Sequence, residues 1–352
     1  SITDDNFMSG KYQFERNGAT GGVVNEGRIS TALGGYVALL APEVRNAGVV
    51  VARSGTVVLA AGEVISLQVQ GGGLAGMTTT PSTMATLIEN KLAVQAPDGQ
   101  IILSSVALNK LQAGVIKNSG HLEASSLVSK GGKIFLEGDD IALASTSKIE
   151  AKGLTGGGTV LVGGDWQGSS DMRQATKVDM AAGATIDASS TDKGNGGGVV
   201  LWSDVSNSNS VTHINGSIKA EAGANGGNGG KIETSGHTLN VEGIQISTQA
   251  TAGQTGEWLL DPYNVTIASS TSNNTLAANT YTPSGANSSI SASTLSTNLN
   301  TSSITVTTSG AGTESGDITV NAAITKTGTT SRSTLTLVAA RDININQKIE
   351  ST

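Results

Sequence analysis

Two adjacent carboxylates, Asp139 and Asp140, are the residues of this chain best suited to acid–base chemistry. Polysaccharide-cleaving enzymes use paired carboxylates as general acid and general base. They also carry basic and imidazole groups beside the pair, and this sequence has neither a Gly-His-Gly nor an Arg-x-Lys motif. We therefore predict no catalytic residues and no enzymatic activity, and we interpret the pair as a hydrated corner. A polysaccharide-active enzyme that uses Asp139 and Asp140 is the weaker alternative.

The sequence predicts no metal or cofactor site. Its three histidines, at 121, 213 and 237, are far apart, and there is no Cys, so metal-ligand spacing and a disulfide framework are both missing. The stretch Gly223–Gly230 resembles a phosphate-binding loop, but such a loop precedes a helix. Here the strand-like segment Lys231–Thr234 follows it, and we interpret the stretch as a turn.

Two kinds of residue are candidates for contacting or carrying sugars. Trp166 and Trp202 have flat apolar rings that could stack on a glycan, and packing beside strands is the alternative for both and for Trp258. Sequons of the Asn-x-Ser/Thr type, the acceptors of N-glycosylation, are the second kind. They occur at Asn215, Asn264, Asn273, Asn287 and Asn300.

The composition excludes several classes of protein. Among 352 residues there are 21 Lys and Arg against 28 Asp and Glu, a net charge of −7, with no basic cluster of the kind that binds nucleic acid. No apolar run approaches the ~18 residues of a membrane span. Hydrophobic residues make up 37% of the chain and occur in short bursts, which argues against disorder.

The elements that must position these residues are short strands. Apolar runs of three to six residues, such as Tyr36–Leu40, are bounded by Gly, Asn, Ser or Asp. The phrase Asn/Asp-x-Gly-x-apolar recurs, with 21 residues from Gly27 to Gly48 and again from Gly99 to Gly120. A period near 20 predicts a solenoid, and the small branched residues favour a parallel β-helix. At about 20 residues per rung, the chain would form about 17 rungs, ~80 Å long.

Three segments depart from this strand pattern. Residues 80–92 have apolar positions at helical spacing after a Thr80 N-cap and Pro81, which predicts a helix on the side of the solenoid. A weaker helical pattern covers residues 106–111. Residues 268–303 are mostly Ser, Thr, Asn and Ala, which predicts a linker or loop with few apolar anchors.

The chain resembles the filamentous-haemagglutinin and high-molecular-weight adhesin family of two-partner secretion exoproteins. Gly34–Gly48 is the most specific match, and Asp5–Phe14, Gly163–Gly168 and Glu257–Val265 match further family phrases. The resemblance spans about residues 5–267 and continues more loosely beyond them. The family's signal peptide and Asn-Pro-Asn-Gly motif do not occur, so we expect an internal fragment.

This resemblance implies an all-β fold, a right-handed parallel β-helix with one or two short flanking helices. Residues 1–60 would be the last part of a secretion domain, 61–267 the β-helix body and 304–352 the start of a further block. The resemblance implies export through the periplasm and across a Gram-negative outer membrane by a dedicated transporter.

The same resemblance implies a virulence-associated role at the cell surface. The expected function is adhesion to host cells, glycans or other bacteria in biofilms, and self-association into filaments is a further expectation. A passive stalk that presents a distal effector or toxin domain is the alternative.

Overall fold

The computed structural model describes residues 1–108, 114–270, 274–277, 280–283, 288–309, 316–328 and 332–352. Two short helices occur in these ranges, α1 (Asp4–Met8) and α2 (Ala292–Asn298). Strands dominate the rest of the chain. The expected all-β class with a few short helices is therefore confirmed.

The strands are three to eight residues long. In the first part of the chain they are β1 (Tyr12–Glu15), β2 (Gly22–Asn25), β3 (Arg28–Ser30), β4 (Tyr36–Leu40), β5 (Glu43–Asn46), β6 (Val49–Val51), β7 (Thr56–Ala61), β8 (Val64–Gln70), β9 (Gly73–Thr80), β10 (Thr86–Asn90), β11 (Ala93–Gln95), β12 (Gln100–Ser105), β13 (Gly114–Asn118), β14 (His121–Glu123), β15 (Lys133–Gly138), β16 (Asp140–Leu143), β17 (Lys148–Glu150) and β18 (Thr159–Val162).

The later strands continue in the same manner. They are β19 (Lys177–Met180), β20 (Thr185–Asp187), β21 (Gly198–Trp202), β22 (Val211–Ile214), β23 (Ser217–Lys219), β24 (Lys231–Gly236), β25 (Thr238–Asn240), β26 (Gln245–Ser247), β27 (Glu257–Pro262), β28 (Val265–Ala268), β29 (Asn274–Ala277), β30 (Thr280–Pro283), β31 (Ser288–Ser291), β32 (Ser303–Thr307), β33 (Ile318–Val320), β34 (Ile324–Lys326), β35 (Leu335–Val338), β36 (Ile343–Ile345) and β37 (Ile349–Ser351).

Three parallel sheets form the walls of a β-helix. Sheet A has the order β2-β5-β10-β13-β16-β19-β22-β25, and sheet B the order β3-β6-β11-β14-β17-β20-β23-β26. Sheet C has the order β4-β7-β12-β15-β18-β21-β24-β27-β32-β35. Within each circuit the chain passes from A to B to C, and it pairs in parallel with the circuits on either side. The predicted parallel β-helix is thus the observed architecture.

The core is the inside of this tube. Alternate strand residues point inward, and these positions carry Val, Ile and Leu that are almost completely buried. In sheet B, for example, one residue per strand stacks into a column: Val50, Val94, Leu122, Ile149, Ile186, Ile218 and Ile246. Each circuit buries its apolar side chains only against the circuits above and below it, so the stack is stabilised rung by rung.

The solenoid is shorter than the predicted 17 rungs. Sheet C contains ten strands in the described residues. Inward residues that pair in successive circuits are 20 positions apart in the sequence for Val37 and Val57, but 46 positions apart for Trp258 and Ile304. The difference arises because loops and a hairpin lengthen many circuits. Nine spacings of about 4.8 Å give a length of about 43 Å. The period of 20 is the minimal circuit, and most circuits exceed it.

A column of glycines marks the corner that leads into sheet C. Its members lie directly above one another: Gly35, Gly55, Gly99, Gly132, Gly158, Gly197, Gly230 and Gly256. A Cβ on Gly158 would overlap with the carbonyl oxygen of Gly132 in the circuit below. That same oxygen accepts a hydrogen bond from Thr159 N at 3.0 Å. The recurring Gly before each apolar run therefore permits close approach of neighbouring backbones.

The predicted helix over residues 80–92 is wrong. β9 ends at Thr80, and Thr86–Asn90 forms β10, which pairs with β5 and β13 in sheet A. Ile88 points into the core while Leu87 faces outward. The spacing of the apolar residues favours a helix, but backbone hydrogen bonds to β5 and β13 on both sides stabilise a strand instead. Residues 106–108 are not helical either, and residues 109–111 of the second predicted helix lie outside the described residues.

The predicted linker over residues 268–303 is also wrong for its second half. β31 and α2 belong to the body of the solenoid, where Ile290, Leu295 and Leu299 are buried. The Ser291 hydroxyl caps α2 by accepting a hydrogen bond from Thr294 N at 3.2 Å. α2 contacts β26 and β34, so a helical turn takes the place of a strand on the sheet B side. The few apolar anchors are sufficient because each one is fully buried.

Smaller sheets complete the structure. β31-β28-β33-β36 and β34-β37 are parallel sheets formed by the last circuits, and β29-β30 is a hairpin. β1, β8 and β9 form an antiparallel sheet, here called the outer sheet, which packs on the outside of sheet C. Within the described residues no helix is long and apolar enough to cross a membrane.

Candidate functional surfaces

Asp139 and Asp140 do not form a pair on one surface. Asp139 is buried just before β16, and its Oδ1 accepts a hydrogen bond from Arg173 Nε at 2.7 Å. Its Oδ2 accepts from the backbone N–H of Gly114 at 2.9 Å and of Ala107 at 3.2 Å. The predicted hydrated corner is therefore wrong for Asp139. Its carboxylate joins Ala107, which follows β12, and Gly114, which begins β13, to a guanidinium through charge-assisted hydrogen bonds, which compensate for its removal from water.

Asp140 instead lies on the outer surface of sheet A with Asp179 and His213. Asp140 neighbours Lys177 in the adjacent strand β19. Asp179 lies two residues after Lys177 in that strand, and its Oδ1 is 2.6 Å from Nδ1 of His213 in the next strand, β22. Burial raises the pKa of Asp140; Lys177 opposes this shift and Asp179 adds to it. Asp179 and His213 are 34 positions apart in the chain, and Asp140 is further still from His213. Their proximity in the sheet therefore could not be predicted from a local sequence motif.

An open groove of about 760 Å³ runs along this surface, here called the sheet A groove. Small residues form its floor and charged or amide groups its rim: Glu89, Lys117, Asn118, Ser119, Ala142, Leu143, Ala144, Ser145, Asp179, Ala181, Ala182, His213 and Asn215. Ala142 lies between Lys117 and Asp179 in the register of the sheet, and its small side chain creates the depression. The groove offers both hydrogen-bond donors and acceptors.

The remaining histidines have separate structural partners. His121 Nε2 lies 2.8 Å from Glu150 Oε2 on the outside of sheet B. His237 Nδ1 lies 2.9 Å from the carbonyl oxygen of Val205, and its ring stacks on Tyr263 with centroids 4.6 Å apart. No three His, Cys, Asp or Glu side chains in the part of the chain that the structure describes are arranged to hold a metal ion.

Trp166 and Trp202 lie near each other on the outside of sheet C. Trp166 begins a short 3-10 turn, Trp166–Gly168, and Lys231 Nζ is 5.3 Å from the centre of its ring. Trp202 ends β21 beneath this turn and is only 5% exposed, with its Nε1 donating to Gln174 Oε1 at 3.0 Å. Trp202 therefore supplies a wall rather than an open stacking platform. Trp258 is fully buried inside the tube, as the packing alternative expected.

A second groove, here called the sheet C groove, begins at Trp202 and has a volume of about 840 Å³. Its lining combines aromatic, amide, carboxyl and guanidinium groups: Gln167, Gly168, Arg173, Gln174, Trp202, Asp204, Val205, Ser206, Asp261, Tyr263 and Ser309. Burial raises the pKa of Asp261, and hydrogen bonds from Ser309 Oγ, at 2.8 and 3.0 Å, oppose that shift. Convergent polar groups beside aromatic walls are typical of sites for small polar ligands.

Glu233 lies beneath the same turn and was not singled out from the sequence. It points outward from β24 but is fully buried, because the turn covers it and Gln167 N donates to its Oε2 at 2.8 Å. Burial raises its pKa to about 7; the Gln167 and Ser235 hydrogen bonds oppose the rise, and Asp261 and Asp165 contribute to it. In the register of sheet C, Glu233 lies between Val200 and Leu259 in an outward row that is otherwise apolar. This isolated charge is the signal by which the sequence could have identified Glu233.

The sequons are placed differently from one another. Asn215, Asn264 and Asn300 are half-buried. Asn264 Oδ1 accepts from Asp317 N at 3.0 Å, and Asn300 Oδ1 accepts from Gly328 N at 2.7 Å. Asn215 lines the sheet A groove. Asn273 and Asn287 lie outside the described residues, so their predicted role as acceptors has no structural account.

The comparisons with known proteins point to one kind of protein. No protein-family profile and no curated protein sequence match the chain. Among solved structures, the chain is similar to the HMW1 secretion domain from Haemophilus influenzae, with a TM-score of 0.55 and 26% sequence identity. The match covers 74% of this chain and 72% of that chain. This likeness supports the resemblance to two-partner secretion proteins that the sequence motifs indicate.

Proposed function

We propose that this chain is the β-helical part of a secreted, adhesin-like exoprotein of the two-partner secretion kind. The observation that carries the proposal is the likeness to the HMW1 secretion domain over about three quarters of the chain. The absence of Cys is consistent with it, because a chain exported unfolded can then fold outside the cell without disulfide chemistry. A transporter of the two-partner secretion type in a Gram-negative outer membrane is the partner that this function requires.

At the cell surface, the proposed role is attachment to host cells, surface glycans or other bacteria, as in a biofilm. The sheet C groove beside Trp166 and Trp202 is the proposed contact surface for glycans. Its mixture of carboxyl, amide and guanidinium groups suits the hydroxyls of a sugar, and Tyr263 adds an aromatic wall. No catalysis is required for this role, and we propose none.

The test is binding of the purified chain to a glycan array and to cultured epithelial cells. Saturable binding that falls at least about tenfold in Tyr263→Ala, which removes an aromatic wall of the groove, supports attachment through the sheet C groove. Phe7→Ala is the matched control, because Phe7 is an exposed aromatic residue far along the chain from this groove. A folded protein that binds neither cells nor glycans would favour the passive stalk presenting a distal effector or toxin domain.

Asn-linked glycosylation is proposed as an additional property of the sequons. Asn215 and Asn300 are partly accessible, and a sugar on Asn300 would attach to Nδ2, which donates to Thr327 Oγ1 at 3.4 Å, and would leave Oδ1 free to accept from Gly328 N. Intact-mass measurement of protein from its native host tests this. A mass equal to that of the unmodified chain rejects it.

A polysaccharide-active enzyme is the second candidate, and it now rests on different residues. Asp140, Asp179 and His213 lie on the outer surface of sheet A, where Asp179 and His213 line the sheet A groove, whereas Asp139 is bound to Arg173. In that case Asp140→Asn would abolish cleavage of a polysaccharide while leaving cell binding intact. Absence of reducing-end release from neutral and acidic polysaccharides would dismiss this candidate.

A further inference from the structure

The outward face of sheet C carries a continuous apolar row. Strand register places Val58, Ile102, Phe135, Leu161 and Val200 next to one another along the solenoid. Outward positions of a solenoid usually face water, so a row of five large apolar residues requires a cover. The described structure covers both ends of this row but leaves its middle open.

Different elements cover the two ends. The outer sheet packs Ile65, Leu67 and Leu74 over Val58 and Ile102. At the other end, Trp202, Val205 and Trp166 pack with Val200. Phe135 contacts the margin of the first cover and Leu161 the margin of the second, and both remain only partly buried.

The open part forms a groove of about 520 Å³, here called the strand-edge groove. Its floor is apolar and its walls belong to β9 and to the loop before β19: Gly76, Met77, Thr78, Thr79, Gln100, Ile102, Phe135, Glu137, Leu161, Asp165, Ser170, Asp171 and Met172. The groove is separate from the sheet C groove, because their linings have no residue in common.

The β9 wall is the edge of a sheet. The outer sheet has the order β1-β8-β9, and no strand in the described ranges pairs with the free side of β9. Leu74 of β9 packs in the apolar cover, and side-chain contacts such as Ser104 Oγ with Thr79 Oγ1 at 3.2 Å also join β9 to the solenoid. A free edge exposes backbone N–H and C=O groups, to which an extended segment can add as a further strand. Such a strand would lie above Phe135 and Leu161 and would complete the cover of the apolar row.

The charges on the rim define the partner further. The charged residues that line the groove are Glu137, Asp165 and Asp171, and all three are carboxylates. Ser104 Oγ and Arg173 N hold Glu137 in place at 2.9 and 3.2 Å, while Asp171 is exposed. Electrostatic complementarity therefore favours a basic strand.

We propose that the strand-edge groove binds an extended protein segment that adds to β9. This segment has apolar residues at every second position, which face Phe135 and Leu161, and Lys or Arg at its ends, which face the carboxylates. Backbone hydrogen bonds to β9 supply affinity, and the apolar pockets supply register. This interaction is independent of the proposed binding of glycans.

The experiment is fluorescence polarisation with the full chain and a panel of labelled nine-residue peptides. The peptides alternate Val, Ile or Phe with Thr, and they carry Lys or Arg at both ends. Three matched controls are a scrambled peptide without alternation, a peptide with Glu at the ends, and a peptide N-methylated at alternate backbone nitrogens. Phe135→Ser and Asp171→Lys are the protein variants, and Val24→Ser, at an exposed apolar site on sheet A, is their control.

The proposal predicts saturable binding of an alternating basic peptide. Affinity falls at least about tenfold with Phe135→Ser and with N-methylation, and several-fold with Asp171→Lys or the acidic peptide. Unchanged circular dichroism of each variant shows that the solenoid is folded. If no peptide binds, or if the scrambled and N-methylated peptides bind as well as the parent, strand addition at β9 is rejected.

Discussion

Asn46 Nδ2 donates a hydrogen bond to Oδ1 of Asn90 at 2.8 Å, although the two residues are 44 positions apart in the chain. Both side chains are fully buried at the same corner of successive circuits. The ladder begins with Asn25 and continues through Asn118 to Ser147, always from an amide donor to the acceptor in the neighbouring circuit. The ladder satisfies a buried polar column internally, and it fixes the register of sheet A against sheet B.

Interruption of this ladder should be costly. Asn90→Ala removes both the acceptor of Asn46 and the donor to Asn118, and leaves amide groups buried without these partners. We expect a loss of about 2–4 kcal/mol in the free energy of unfolding. Denaturant titration followed by circular dichroism measures it, with Asn344→Ala at an exposed strand position as the control. A change equal to that of the control would mean that the ladder contributes nothing.

The sequence predicted the repeat and the corners but not the residues between them. The Asn/Asp-x-Gly phrase identifies Asn25, Asn46 and Asn118, because a tight corner leaves a local signature. Asn90 lacks the following Gly, and its place in the ladder depends on the circuit below. The strand at Ile88 was missed for the same reason, since its neighbours in β5 and β13 stabilise it and helical spacing is a local pattern.

The functional surfaces were still harder to predict. Trp166 and Trp202 could be singled out because aromatic rings offer flat apolar faces, but burial of Trp202 depends on a turn that covers it. Asp140 meets Asp179 and His213 only through the register of sheet A. Neither feature has a signature in a single stretch of sequence, because a solenoid assembles each surface from many circuits.

Two glycines in adjacent circuits, Gly158 and Gly198, allow the steric role of the glycine column to be distinguished from the general effect of replacing a glycine. A Cβ on Gly158 would overlap with Gly132 O, whereas a Cβ on Gly198 would meet nothing within 4 Å. We expect Gly158→Ala to destabilise the protein by about 3 kcal/mol or to prevent folding, because the backbones of two circuits must separate. Gly198→Ala should change stability little. Thermal unfolding of both variants is the measurement, and similar melting temperatures would contradict the steric argument.

Glu233 should make stability depend on pH. Its pKa in the folded chain is raised to about 7 from the ordinary value of 4.5, chiefly by burial, so the folded state binds the proton more tightly than the unfolded state. The penalty for ionising it is absent below about pH 4.5, increases as the pH rises to 7, and is fully present above that, at about 3 kcal/mol. Replacement by Gln removes this penalty.

The measurement is urea unfolding of the wild-type chain and Glu233→Gln at pH 5 and pH 8. The variant should gain stability over the wild type at pH 8 by about 2–3 kcal/mol more than it does at pH 5, where a small part of the penalty is already present. Glu26→Gln, at an exposed position, is the control. Equal differences at the two pH values would show that Glu233 does not titrate between them.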